Sequence, residues 1–411
     1  MFRFALLLGV LGLSVAKSGA ADEPFFKPGD RVMFLGDSIT EQYQYSSYIE
    51  LYLTTRYPGA KLTFLNAGIG GDTAHGGLAR FQKHVLDEKP TVLLINFGMN
   101  DGGYGKFDDK RNQLYRESTE KMLKLAKAAN IRVGLCSPNA IDPRVKSNGK
   151  EYFETQKQFY APLREIAAGN SAKFADQYAR TRTEIEAMTK DDPKAEKAKP
   201  YYDGFHTSEP GGLIMAHAIL TEFKVPALVS SAEFGAKGEV KAEKCKITDV
   251  KLSDTGVSFT RLGDAVPMPV LTSWRPMLPY VNELKDLNND TLKVAGLKDG
   301  HYDITADGRP VMSATAVELA AGVNLGLAAQ GPVYDQGMKI FQAITQKNAK
   351  VANRFNTVHR FNPPAWLKIP DLDMQKKAEL ERLLKVIDTA NNAIAAAAEP
   401  TPHAWAITPA K

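Results

Sequence analysis

The first half of this 411-residue chain predicts an α/β fold, a parallel sheet with helices on both sides. Three observations predict it. Strand-like and helix-like stretches alternate from Arg31 to about Lys224. The strand-like runs are short, apolar and rich in Val, Leu, Ile and Phe, as strands covered on both faces should be. Polar, glycine-containing motifs follow those runs, where open α/β sheets gather their ligand-binding groups.

In chain order the strand candidates are "RVMFLG", "KLTFLNAG", "TVLLINFG", "RVGLCSP" and "AKFADQY". Helix candidates between them include "SSYIELYLTTRY", with apolar Tyr48, Ile49, Leu51 and Tyr52, and "RESTEKMLKLAKAAN", with Met122, Leu123, Leu125 and Ala126. Repeated βα units imply right-handed crossovers and one parallel sheet. From about Ala232 the character changes. "VKLSDTGVSFTRL", "TLKVAGL" and "HYDITADGRPVM" have strand composition, and Asp307-Gly308 is a hairpin signal. Two long helix candidates follow, "GPVYDQGMKIFQAITQKNAKVANRF" and "DMQKKAELERLLKVIDTANNAIAAAA", separated by the "PPAW" break at Pro363–Trp366. The expected organisation is a leader over 1–21, an α/β domain over 28–228, a small β-rich unit over 232–312 and a helical C-terminal extension over 313–411. The helices pack on each other or return onto the first domain.

The leader reading rests on Arg3, an apolar run Phe4–Val15 too short to span a bilayer comfortably, and small residues Ser18, Gly19, Ala20 and Ala21 at a cleavage site. It places the mature protein outside the cytoplasm, secreted or periplasmic, with no transmembrane anchor after cleavage. Net charge is 52 − 47 = +5, and removing Arg3 and Lys17 leaves 50 − 47 = +3. That balance argues against nucleic acid as a partner. Only Cys136 and Cys245 are present. Export permits them to pair, while the strand context of Cys136 favours a buried thiol. No Cys/His cluster has zinc spacing, so no metal or other cofactor is expected.

Four motifs hold the chemistry: "GDSIT" at Gly36–Thr40, "NAGIGGD" at Asn66–Asp72, "GMND" at Gly98–Asp101 and "DGFH" at Asp203–His206. Serine needs a base and an exposed position to act as a nucleophile. Ser38 follows a strand through Gly36-Asp37, although Asp37-Ser38 also fits a helix cap. Gly71 and Asn100 are oxyanion donors by type, a main-chain N–H without a side chain and an amide NH₂. Turn and capping roles are their alternatives. Asp203 and His206, three apart, suit a carboxylate orienting an imidazole. Ser38, Gly71 and Asn100 each fall just after a predicted strand and so share one sheet edge. His75, Tyr104 and Phe107 are candidate pocket-lining residues. His217 reads as an ordinary helix-face histidine, and "TKDDPKAEKAK" as a solvated loop able to move over the site.

On these four blocks the chain resembles the SGNH hydrolases, also called GDSL lipases/esterases, over about residues 31–224. The resemblance implies a flavodoxin-like three-layer α/β/α sandwich. It implies Ser38 as nucleophile, Ser38, Gly71 and Asn100 as the oxyanion hole, and Asp203 and His206 completing a triad. The expected activity is hydrolysis of O-acetyl or short acyl esters through an acyl-enzyme. The substrate is a small-molecule or polysaccharide ester, and the favoured alcohol is a carbohydrate, because the tail resembles extensions on exported SGNH proteins. The alternatives are a lipase or thioesterase of the same fold and a non-enzymatic carbohydrate-binding surface protein.

Overall fold

The computed structural model of the chain describes residues 23–145 and 149–410. The expected leader over 1–21 lies outside the described residues. No helix among the described residues is long and apolar enough to cross a membrane.

Five strands, β1 Arg31–Gly36, β2 Thr63–Gly68, β3 Val92–Asn96, β4 Arg132–Cys136 and β5 Lys173–Ala175, form one parallel sheet in the order β2-β1-β3-β4-β5. That order and the helices on both faces make the flavodoxin-like doubly wound arrangement. β3 is buried along its whole length, as its apolar run Val92 to Ile95 requires, and Asn96 at its end is buried with it. The helix Asp109–Ala128 has a buried stripe of Tyr115, Met122, Leu123 and Ala126. Strand order reverses about β1, so the ends of β1, β2 and β3 converge where their loops can meet.

The remainder holds two sheets. β6 Leu228–Phe234, β7 Val240–Glu243, β10 Asn289–Val294 and β13 Val323–Asn324 form a mixed sheet in the order β13-β10-β6-β7. β8 Cys245–Ser253, β9 Gly256–Gly263, β11 His301–Ala306, β12 Arg309–Thr315 and β14 His403–Pro409 form an antiparallel sheet in the order β12-β11-β14-β9-β8. The β11–β12 hairpin turns at Asp307-Gly308, both with positive φ (50° and 72°), as that dipeptide favours. The two sheets enclose a core of Phe234, Phe259, Leu292, Ile304, Trp405 and Ile407.

One expectation is corrected here, and the pairing of the two cysteines, left open by the sequence, is decided. The stretch 313–411 is not wholly helical: β14 inserts between β9 and β11, burying Trp405 and Ile407 on alternate positions. Its pairing partners lie about a hundred residues or more earlier, so no local pattern announces it. Cys136 and Cys245 are both free. Cys136 is buried in β4 of the parallel sheet, with its thiol pushed up by burial, while Cys245 begins β8 of another sheet.

The long helices Pro332–Asn353 and Leu372–Ala398 pack on each other and on the first domain. Lys347 Nζ donates to Glu50 Oε2 at 2.7 Å, both side chains buried, and Asn348 donates to Ser47 at 3.0 Å. Trp274 and Phe341 rings pack against Tyr48. Arg354 donates to Glu88 Oε1 at 2.8 Å, and His359 bonds the same carboxylate. Breaking such buried charge pairs strands a partner in low dielectric, so the extension and the α/β domain stay joined.

Candidate functional site

At the carboxyl end of β1 the chain passes through Asp37 into a one-turn helix, Ser38–Glu41. Asp37 Oδ1 accepts from Ile39 N–H at 2.9 Å and caps that turn. Ser38 stands at the first helical position, where no intrahelical acceptor faces its N–H. Its hydroxyl lies 2.8 Å from His206 Nε2. On the other side of the ring, His206 Nδ1 is 2.7 Å from Asp203 Oδ2. Asp203 Oδ1 accepts from the N–H groups of His206 (2.8 Å) and Phe205 (3.2 Å). Burial works to raise the Asp203 carboxyl, but the bonds from the His206 ring and these two N–H groups outweigh it and hold the acid below its usual range. A hydroxyl, an imidazole and an ionised carboxylate in this order are arranged for proton abstraction from the hydroxyl.

The second and third motifs meet beside Ser38. Gly71 has φ +75°, a conformation that favours glycine, and its N–H donates to nothing among the described residues. Asn100 Nδ2 donates to the Asp72 carbonyl at 2.9 Å, while its Oδ1 accepts from Tyr104 hydroxyl at 2.9 Å. These bonds orient the amide and leave its second N–H for another acceptor. The Ser38, Gly71 and Asn100 donors thus belong to one edge of the sheet.

Tyr104 supports Asn100, and its ring packs against Phe205 and Tyr152. His75 is exposed on the helix Ala74–Ala79 after the glycine loop. The Phe107 ring packs edge-on against Phe159 and joins the core. His217 is buried in its helix and bonds Asp286 at 3.0 Å. The segment 192–199 is tied down: Asp192 accepts from the N–H groups of Glu196, Lys197 and Ala198, and Arg144 donates to the carbonyls of Asp192 and Ala198. No group of His, Cys, Asp or Glu among the described residues forms a metal-binding cluster.

Several supporting residues have no motif of their own. Gln42, one turn beyond Ser38, accepts from Thr207 N–H (3.2 Å) and hydroxyl (3.1 Å), joining the serine turn to the Asp203–His206 loop. Tyr202 stacks on the His206 ring at 5.8 Å. Arg80 donates to Asp72 Oδ2 at 2.8 Å and to the Ala67 and Gly36 carbonyls. The partner of Gln42 lies 165 positions along the chain, so no local pattern marks it.

Two carboxyls flank the constellation. Burial pushes Asp37 and Asp101 up to about 7 from 3.8; backbone N–H bonds oppose the rise, and the neighbouring carboxyls add to it. From about pH 4 to 7 the folded state therefore holds protons that the unfolded chain has lost. Stability falls as pH rises through that window. Asp101→Asn removes this penalty at one position. Unfolding by denaturant is expected to show the variant gaining on wild type by about 1–3 kcal/mol between about pH 5 and pH 8. An equal difference at both pH values would show that Asp101 is not raised.

Residues 34–212, just under half of the chain, match the GDSL-like Lipase/Acylhydrolase family. The α/β segment belongs to that family. It is a serine hydrolase domain acting on esters. The acetylxylan esterase of Geobacillus stearothermophilus is 24% identical over 216 residues, 47% of this chain and 94% of that protein. Thioesterase 1/protease 1/lysophospholipase L1 of Escherichia coli K12 is 29% identical over 166 residues, 40% of this chain and 71% of that protein. The solved structure of a gut microbial diltiazem-metabolizing enzyme superposes with a TM-score of 0.81 at 25% identity, covering 94% of this chain and 98% of that one. The architecture shared with that enzyme therefore includes the β sheets and the helical extension as well as the GDSL domain.

Proposed function

We propose that this chain is an exported serine esterase that hydrolyses O-acetyl or other short acyl esters, with a carbohydrate as the alcohol. The observation that carries the chemistry is the continuous chain from Ser38 Oγ through the His206 ring to Asp203, at 2.8 and 2.7 Å. Ser38 Oγ attacks the ester carbonyl while His206 Nε2 takes its proton. The N–H groups of Ser38 and Gly71 and the Asn100 amide stabilise the oxyanion. His206 then protonates the departing alkoxide, leaving an acyl group on Ser38. Water, deprotonated by the same ring, attacks that acyl group and regenerates the serine.

The acetylxylan esterase relative supports an acetylated sugar, and the half-buried Ser38 and exposed Gly71 suit a bulky alcohol. The leader over 1–21 supports export. The thioesterase relative favours a second reading, hydrolysis of acyl thioesters. A fluorophosphonate probe is expected to label the protein once, with the added mass on the peptide containing Ser38. Turnover of acetyl, octanoyl and thioester substrates, acetylated xylan and diltiazem then separates the readings. Acetyl esters, soluble or on xylan, are expected to lead. Preference for octanoyl or thioester substrates would replace the carbohydrate reading, and no labelling would remove the serine mechanism.

A further inference from the structure

We propose that Arg360, in the C-terminal extension, is a positioning residue for ester hydrolysis, acting through Glu41 on the Gly70–Gly71 loop. This inference rests on the serine mechanism above. Glu41 ends the turn that begins with Ser38. Its Oε2 accepts from Gly70 N–H at 2.7 Å, and its Oε1 accepts from Arg360 Nη1 at 3.2 Å. One carboxylate thus joins the serine turn, the oxyanion loop and a residue more than three hundred positions away.

The local geometry explains why this link bears on catalysis. Gly71 N–H is held from two sides. On one side Gly70 is anchored by Glu41. On the other, Asp72 is anchored by Arg80 on its side chain and by Asn100 on its carbonyl. A Cβ on Gly70 would stand 2.9 Å from Glu41 Oε2 and 4.0 Å from Ser38 Cβ, so the carboxylate, the loop and the nucleophile are in close register. The loop itself is short and has a single i→i+3 bond, Asp72 N–H to Ile69 C=O at 3.2 Å. Freed from Arg360, the Glu41 carboxylate gains access to solvent and competing rotamers.

The position of Arg360 is itself prepared. The helix Pro332–Asn353 widens into a π-helical turn, Arg354–His359, pinned to Glu88 through Arg354 and His359. Arg360 N–H donates to Phe355 C=O at 3.0 Å, continuing that wide turn, and Asn356 Oδ1 accepts from its guanidinium at 3.1 Å. Interruptions of this kind concentrate at functional sites. The Glu41 and Arg360 side chains are 34% and 38% exposed. An exposed pair adds little to global stability, whereas ångström-scale misplacement of a reacting group can cost about 10²-fold in rate. The pair is therefore expected to show in turnover and not in the melting temperature.

The test uses the full chain with p-nitrophenyl acetate and butyrate. Arg360→Ala and Glu41→Gln are each expected to lower kcat about 5- to 50-fold, by the same factor for both esters, with KM and the thermal midpoint near wild type. The double variant is expected to be no slower than the worse single one, and Arg360→Lys to recover most of the loss. Wild-type kcat in Arg360→Ala would overturn the proposal. So would a loss confined to KM, a loss differing between the two esters, or a loss that follows a lowered thermal midpoint. Ser38→Ala in parallel separates the two failures: if it is inactive while Arg360→Ala is normal, only the positioning role is lost; if it is active, the serine mechanism is lost.

Discussion

Ser38→Ala is expected to lower kcat for a short-chain aryl ester by about 10⁵- to 10⁶-fold, with the fold intact. Members of a catalytic triad act as a unit, so removing the nucleophile costs nearly as much as removing all of it. The hydroxyl donates to one acceptor, His206 Nε2 at 2.8 Å, and supports no other element of the fold. Asp37, and not Ser38, caps the turn. Stability should therefore move little while activity collapses. Residual turnover above the uncatalysed rate, about 10³-fold, is expected from the oxyanion donors alone. Steady-state kinetics with a denaturation curve on the same preparation checks both halves. A loss of less than about 10²-fold would remove Ser38 from the mechanism.

The second expected result is a fall of about 10³- to 10⁴-fold in kcat for Asp203→Asn. The two carboxylate oxygens have different tasks. Oδ1 accepts from the N–H groups of Phe205 and His206, and Oδ2 faces His206 Nδ1. An asparagine keeps its carbonyl oxygen toward the two backbone donors, because an NH₂ there would oppose N–H to N–H. Its NH₂ group must then face the ring. That requires Nδ1 to be the acceptor and places the imidazole proton on Nε2. An Nε2–H cannot take the proton of Ser38, so the base is lost while the geometry survives. The variant is expected to regain activity only at alkaline pH, where hydroxide replaces the general base. Kinetics across pH, with a structure of the variant, decide this; near wild-type kcat at neutral pH would show that Asp203 does not set the tautomer.

Much of the α/β half was legible in the chain. The run "VLLI" ahead of Asn96 has no solvent face and is too short for a helix, so it reads as a strand covered on both sides, and β3 is that strand. The motifs follow β1, β2 and β3 directly, and in a parallel sheet every strand ends on the same edge. That placed Ser38, Gly71 and Asn100 together. The Asp203–His206 pair is joined across three residues. The pocket candidates fared differently. Tyr104 lies beside Asn100 as a hydrogen-bond donor and not as an open wall, Phe107 packs into the core, and His75 faces outward. Distance from a motif along the chain says nothing about which way a side chain points.

Periodicity and local turn chemistry determined, without help, the strand–helix alternation of the first half, the Asp307-Gly308 hairpin, the two long helices and the chemical types at the site. These are short-range properties, set by which faces are apolar and which backbone angles a residue tolerates. Tertiary structure alone decided that β14 completes a sheet begun more than a hundred residues earlier, that the two cysteines lie in different sheets, and that Glu41 meets Arg360. Each of these depends on chain ends or surfaces brought together by burial of apolar area, which is non-directional and leaves no mark in the spacing of the residues it joins.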